Sequence, residues 1–425
     1  MFDIKKIREN TEEIKKGLKL RGDKYALQVD SVLELDIERR KILSEVETIK
    51  SEKNTISKQI GLRKREGNDA NDLITKSDEL NEIINKYDTQ VSQIDKKIHD
   101  ILILIPNIIN ETVKYGEDEN SNELVKEVGK KTEFSFVPKA HYELGEDLGI
   151  LDFEGASRIV GSRFTVLKGD AAKLERALTS FMMDLHTVES DYTEIIPPYM
   201  VNRTTMTSAG KLPKFEDDAF KLQSNKDWFL NSTAEIPLIG YFSNQVFDEK
   251  ELPINIAGYT TAFRKESGSA GRDTRGMLRQ HQFKKVELFK IANPKDSYEQ
   301  LEAMLKQSEK VLRELKLPYR VVNLCTGDLG ETSTKTYDIE VWIPSQEKYR
   351  EIASISNTES YQSIRANIKF KPEEGKKLEF VHLLNGSGLA VGRCMIAVIE
   401  NYQNSDGTIT VPDVLIPYMK KTTIK

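Results

Sequence analysis

Cysteine is nearly absent: Cys325 and Cys394 are the only two in 425 residues, far apart and without a metal-ligand spacing. That argues against a disulfide framework or a cysteine zinc site and suits a reducing cytosol. The five histidines are scattered and form no HExxH pair, so zinc is not expected. No apolar run approaches the roughly 20 residues that span a bilayer; the patch at 101–105 stops at Pro106. A membrane is therefore not an expected partner. The opening MFDIKKIREN mixes Asp3 and bases among apolar positions, unlike a secretory signal, and the expected location is cytoplasmic. Three familiar signatures are missing as well: the GxxxxGK[ST] phosphate loop, a strand–GxGxxG–helix unit and the GxSxG elbow. Any bound nucleotide must be held by another arrangement. Positive charge is also in deficit. With a formal charge of −5, a polyanion has to be met by a local basic patch rather than by the whole molecule.

The length calls for two or more domains, and 38% hydrophobic with 31% charged residues is a soluble globular mixture. Residues 1–28 read as short helices, with Asn10 before Thr11, Glu12 and Glu13 as an N-cap followed by first-turn acids. The most regular pattern comes next. Val32, Leu35, Arg39, Ile42, Val46, Ile49, Lys53, Ile56 and Ile60 keep a strict 3-4 spacing, the seam of a coiled coil. A polar stretch at 61–72 interrupts it, and the spacing resumes from Leu73 through Leu80, Ile84, Val91, Ile94 and Ile98 to Ile105. Two stripes joined by a polar turn predict an antiparallel hairpin over about 30–105. Between residues 39 and 65 nine basic side chains face three acidic ones. Taken alone, that excess fits a solvated coiled-coil face as well as a phosphate-binding surface.

Residues 111–136 read as a linker, which divides the chain into a helical arm at 1–110 and a second domain at 137–425. In that domain β-rich runs (RIVGSRFTVL, EIIPPYM, DWFLN, KVELFKI, KTYDIEVWI) follow one another with few helices between them. The pattern predicts an α+β domain on a mixed, mostly antiparallel sheet rather than a dinucleotide-binding fold.

Two segments carry the chemistry. AFRKESGSAGRDTRGMLRQHQFKKVE places Arg264, Arg272, Arg275 and Arg279 in and around a glycine-rich loop between two strands. So many guanidinium forks in one loop point to anions, because arginine grips phosphate and carboxylate bidentately. GSGLAVGR puts alternating glycines before Arg393 at a strand-to-helix junction, a pattern that close packing alone could also produce.

Together these segments resemble the class II aminoacyl-tRNA synthetases. Phe263-Arg264-x-Glu266 with Arg279-x-x-x-Phe283 is similar to their motif 2, GSGLAVGR to motif 3, and DYTEIIPP at 191–198, more loosely, to motif 1. The resemblance narrows to the seryl-tRNA synthetase family through DIKKIREN, GSRFTVLKGDAAKLERAL, KLPKF, Thr233-Ala234-Glu235, KTYDIEVWIPSQEKYREIAS and NGSGLAVGR. SNTESYQSIRAN departs from the usual cysteine-containing version, and LGETSTKTYD is altered before its strand.

The resemblance implies an ATP-dependent ligase that makes seryl-adenylate and transfers serine to tRNA(Ser), with tRNA(Sec) as a further acceptor. It implies ATP contacts from Arg264, Lys265, Glu266, Phe283, Glu351, Ile352, Ala353, Ser354 and Arg393, with Arg264, Glu351 and Arg393 catalytic and Glu351 and Ser354 carrying Mg²⁺. L-serine would be bound by Thr233, Ala234, Glu235, Arg264, Glu287, Asn385 and Ser387. The arm would clamp tRNA through Arg39, Arg40, Lys41, Lys50, Lys58, Arg63, Lys64 and Arg65, and the protein would be a homodimer. Two rivals predict something else: a ligase loading a carrier protein would lack the basic arm, and a non-catalytic RNA-binding paralogue would have lost Arg264, Glu266, Glu287 or Arg393. This chain keeps all of them.

Overall fold

The structure is a computed structural model that describes residues 1–267, 275–373, 375 and 377–425. Arg272, one of the loop arginines, lies outside the described residues. The chain forms two compact units, Met1–Pro106 and Asn107–Lys425.

In the first unit two short helices, α1 (Ile4–Glu9) and α2 (Thr11–Lys19), precede α3 (Asp23–Arg65) and α4 (Asn71–Leu102). At 1.5 Å per residue the 43 residues of α3 extend about 65 Å. Seam residues Val32, Val46, Ile56, Leu80, Ile84, Ile94 and Ile98 are buried. The expected break at 61–72 is shorter than the sequence suggests, since α3 runs through Gly61 to Arg65. One helical glycine costs only about 1 kcal/mol against alanine, and the flanking Leu62, Arg63, Lys64 and Arg65 favour helix. The turn closes on Gly67 at φ +74. Asn68 N–H reaches Arg63 O at 2.9 Å and Gly67 N–H reaches Lys64 O at 3.4 Å, the paired bonds that satisfy the last carbonyls of a helix.

The second unit is built on an eight-stranded sheet. Its strands in chain order are β1 (Glu123–Val128), β2 (Thr193–Ile195), β3 (Ile254–Phe263), β4 (Gln282–Ala292), β5 (Tyr319–Asn323), β6 (Lys335–Ile343), β7 (Lys348–Asn357) and β8 (His382–Ala390). In space they run β1-β5-β6-β7-β8-β4-β3-β2. All neighbours are antiparallel except β2, which lies parallel to β3. The mostly antiparallel α+β sheet is thus as the sequence predicts.

Alternation along β4 sorts the two faces. Val286 and Leu288 join one core with helices α5 (Gly169–Thr187), α7 (Ser297–Glu314) and α8 (Val391–Asn401). Phe289 and Ile291 join a second core with α6 (Glu235–Phe242) and Leu383. Phe283, Lys285 and Glu287 share the face of this second core but lie short of it; Phe283 and Lys285 line a cleft, and Glu287 is buried beside them.

Two expectations are corrected. The run RIVGSRFTVL is mostly not strand: a helix ends at Ile159 and only Val166–Leu167 pairs. Positive φ at Gly161 (129°) and Arg163 (62°) breaks the extended path. The stretch expected as a linker contains β1, an edge strand whose Leu124 and Val125 are exposed. It is held by its backbone ladder to β5, by Lys126 Nζ to Glu309 Oε1 at 2.9 Å and by Val128 alone packing on the core.

Candidate active site

Three strand ends and one helix start meet around the cleft. Arg264 follows β3, and its backbone N–H donates to His281 O at 2.9 Å across the hairpin stem. Its Nε donates to Ser232 O at 3.2 Å, and its guanidinium lies 5.1 Å from the Phe283 ring centroid. Guanidinium and aromatic face therefore make one surface. Glu266 sits at φ +53, and its carboxylate meets Arg279 Nη1 at 3.3 Å. Arg393, in the first turn of α8, donates from Nη1 to Glu351 O at 2.7 Å and from Nε to Leu278 O at 3.3 Å. Arg264, Glu266, Phe283, Glu351, Ile352, Ser354, Ser387 and Arg393 all line one cavity of about 180 Å³.

A bulge puts Glu351 and Ser354 on the same face. Ala353 pairs with Ile339 and Glu351 with Glu340, so Ile352 has no partner in the ladder. Without that extra residue, positions three apart would face opposite sides. Burial acts to raise the Glu351 carboxyl, but Arg393, Arg264 and Lys285 outweigh it and hold it below the usual carboxylate range. Behind it Asp338 pairs with Ser354, and its Oδ1 is buried without a hydrogen-bond partner among the described residues. Burial first, then the Glu351 charge, pushes the Asp338 carboxyl well up.

The donor set suits a hard divalent cation, which takes one or two carboxylates and completes its shell with phosphate and water. Among the described residues no group of three or more His, Cys, Asp or Glu could hold a metal ion without such added ligands.

Behind Lys285 and Ser387, which line the same cavity, lies a pair of buried acids. Glu287 is 1% exposed and stands opposite Ser387 on β8 and Gly258 on β3. Its Oε2 accepts from Thr233 Oγ1 at 2.5 Å and from Lys285 Nζ at 2.6 Å. Burial raises the carboxyl above its ordinary range, with the Lys285 ammonium and the Thr233 hydroxyl pulling the other way. Glu235, at the start of α6, is buried, and its Oε1 accepts from Asn385 Nδ2 at 3.1 Å and from Gln362 Nε2 at 2.5 Å. Thr233, Glu235, Glu287, Asn385 and Ser387 therefore come together as the sequence predicts.

Three candidates do not reach the cleft wall. Ala234 is fully buried in the second core and Ala353 in the first; each is an apolar neighbour of a polar residue, facing inward. Lys265 is exposed, with its backbone N–H on Asp218 O at 3.3 Å, and lies on none of the cavity walls around Arg264.

Sequence reasoning missed Lys285 and Gln362. Lys285 was within reach, because it is two positions from both Phe283 and Glu287 on one strand face. Gln362, fully buried on the helix Tyr361–Ala366, gives no local signal.

In the first unit the basic residues fall into two groups. Arg39, Arg40, Lys50 and Arg63 pair with Asp95, Asp36, Asp88 and Asp72 at 2.5, 2.9, 3.8 and 2.7 Å. Lys41, Lys58, Lys64 and Arg65 are exposed, and no salt bridge engages them among the described residues.

Comparison with known proteins places both units. Residues 1–109 match the seryl-tRNA synthetase N-terminal domain, and residues 215–402 match the tRNA synthetase class II core domain (G, H, P, S and T). The serine–tRNA ligase of Carboxydothermus hydrogenoformans is 51% identical over 419 residues, spanning 99% of this chain and 98% of that protein. The serine–tRNA ligase of Bacillus subtilis is 50% identical with the same coverage. The crystal structure of seryl-tRNA synthetase from Pyrococcus horikoshii complexed with ATP superposes with a TM-score of 0.91 at 39% identity, covering 100% of this chain and 99% of that one.

Proposed function

The chain belongs to the seryl-tRNA synthetase family, and we propose on that footing how its cleft and arm act as an ATP-dependent serine–tRNA ligase. The observation that carries the reading is one cleft holding two kinds of site. One half gathers Arg264, Arg393 and Arg279 beside an aromatic face, and the other buries two oriented carboxylates, Glu235 and Glu287.

The serine carboxylate attacks the α-phosphorus of ATP, giving seryl-adenylate and diphosphate. A ribose hydroxyl of the terminal adenosine of tRNA then takes the seryl group. Neither step needs a protein nucleophile, so the protein contributes position and charge. Arg264 bridges the α-phosphate and the serine carboxylate. Arg393 holds the far phosphate, Glu266 reads the adenine edge and Phe283 stacks beneath the base. Glu351 and Ser354 would hold Mg²⁺, which supplies neutralisation of phosphate charge when bound.

In the acid pocket Thr233 and Lys285 both donate to Glu287 Oε2, which leaves Oε1 for the serine hydroxyl. Glu235, steadied by Gln362 and Asn385, takes the ammonium. Alanine and glycine would leave Glu287 Oε1 unmatched, a penalty that discriminates better than pocket size.

Lys41, Lys58, Lys64 and Arg65 supply the arm's phosphate contacts, and the paired bases shape its surface. Recognition of tRNA(Ser), and of tRNA(Sec) by the same route, then rests on RNA shape and backbone. The sheet ends at β2, whose outer edge is open, and Ile196, Tyr199 and Met200 beside it are exposed. A second copy of the chain covers this edge in a homodimer. No described helix is long and apolar enough to cross a membrane, and the cytoplasm is the setting in which tRNA, serine and ATP meet.

The test is ATP–diphosphate exchange by the purified protein with Mg²⁺ and no tRNA, run with serine, threonine, alanine and glycine. Serine-only exchange is expected. Exchange that is independent of the amino acid, or no exchange at all, contradicts the reading.

A further inference from the structure

His141 lies in the stretch between the two family matches and outside every motif read from the sequence. It opens the helix His141–Asp147, and its side chain is 3% exposed against Glu400 at 0%. Nδ1 is 2.8 Å from Glu400 Oε1, and the His141 backbone N–H reaches the same oxygen at 2.9 Å. On the other side of the ring, Met277 N–H donates to Nε2 at 3.0 Å. An N–H can only donate, so Nε2 is the bare nitrogen and the ring proton sits on Nδ1, donated to Glu400. Glu400 Oε2 in turn accepts from Ser345 N–H at 3.1 Å. The fit is close: Gly276 has φ +73, and a Cβ there would come within 2.2 Å of Nε2.

The contact spans two elements that each bring an arginine, Arg279 and Arg393, to the wall of the cleft. Glu400 lies on α8, two helical turns beyond Arg393. Arg393 itself bonds Leu278 O. The helix therefore holds Met277 and Leu278 at two points, once through Arg393 and once through Glu400 and His141. Arg279 is the next residue, beside Glu266.

We propose that His141 is a positioning residue for ATP. By accepting the Met277 N–H it fixes the exit of the arginine loop to α8, so that Arg279 and Arg393 stand at a set spacing before the nucleotide arrives. The inference rests on the reading of this cleft as the ATP site.

Two amides separate the two sides of the ring. In His141→Gln a carbonyl oxygen can take the place of Nε2 and accept from Met277. In His141→Asn the amide reproduces the donation to Glu400 and leaves Met277 N–H without an acceptor. Serine-dependent ATP–diphosphate exchange is measured for both variants, with the thermal midpoint of each as a control. His141→Gln is expected within about twofold of the wild-type KM for ATP. His141→Asn is expected about tenfold higher, the equivalent of one buried hydrogen bond left unmade, with KM for serine little changed in both.

Equal KM values for ATP in the two variants overturn the proposal, as does a rise that only follows loss of stability. If His141→Asn does not fold, Gly276→Ala takes its place, since its methyl drives into the imidazole without touching Glu400. The same rise in KM for ATP is expected, and an unchanged KM contradicts it. A wild-type protein without exchange activity sinks the ATP reading itself, which is a different result.

Discussion

Replacing Glu287 by glutamine tests the selectivity argument where the structure is most explicit. The carboxylate is 1% exposed, and one of its oxygens already serves two donors, Thr233 at 2.5 Å and Lys285 at 2.6 Å. In Glu287→Gln those donors keep the amide oxygen, which turns the NH₂ toward the position of Oε1. The serine hydroxyl then faces a donor where it had a charged acceptor. A hydrogen bond to a charged group contributes about 1.5–3 kcal/mol. At about 1.4 kcal/mol per factor of ten, that is roughly 10–150-fold. The hydroxyl can turn and accept from the NH₂, so the loss should lie near the lower end, about 10–30-fold. Alanine never made the bond and should be activated at close to its wild-type rate. The assay is serine- and alanine-dependent ATP–diphosphate exchange, compared as kcat/KM. The serine-to-alanine ratio should fall by the same 10–30-fold. An unchanged ratio refutes the role given to Glu287, whatever happens to the absolute rates.

Other perturbations address the remaining parts of the site. Arg264→Ala removes the fork that bridges the two reacting anions and should abolish serine-dependent exchange; normal exchange would take that role away. Gln362→Ala removes one of the two side-chain donors to Glu235 Oε1, leaving Asn385, and leaves Ala209 O without its donor at 3.1 Å. KM for serine should rise about tenfold, with about 1–3 kcal/mol lost in denaturant unfolding and KM for ATP unchanged. Changing Lys41, Lys58, Lys64 and Arg65 together to glutamine should spare exchange and weaken tRNA binding. If all four meet phosphate, the salt dependence of log Kd should flatten by about 3–4, and an unaltered slope would place the RNA elsewhere.

What could be read from the sequence depended on how local the signal was. The arm was legible because each seam residue reports the same period, and its predicted positions are buried or half-buried along α3 and α4. KTYDIEVWI was legible as β6 because it alternates against a buried face. RIVGSRFTVL failed because its β-branched residues sit on a backbone bent by Gly161 and Arg163, which composition does not show. β1 was hidden because an edge strand needs hydrogen-bond partners more than apolar residues. In the site, the motif arginines and acids were readable as types and spacings. That Glu351 and Ser354 share a face depends on the unpaired Ile352, a register fact with no sequence mark. Gln362 and His141 act through partners 127 and 136 positions away, Glu235 and Met277, and only the tertiary structure brings those pairs together.

The central claim is that one chain both activates serine and delivers it to tRNA. Transfer of labelled serine to total tRNA by the full chain with ATP and Mg²⁺, against labelled threonine, alanine and glycine, tests it most directly. The account predicts acid-precipitable label with serine alone. Serine-dependent exchange without any label on tRNA would contradict it and point instead to a ligase that loads a carrier protein.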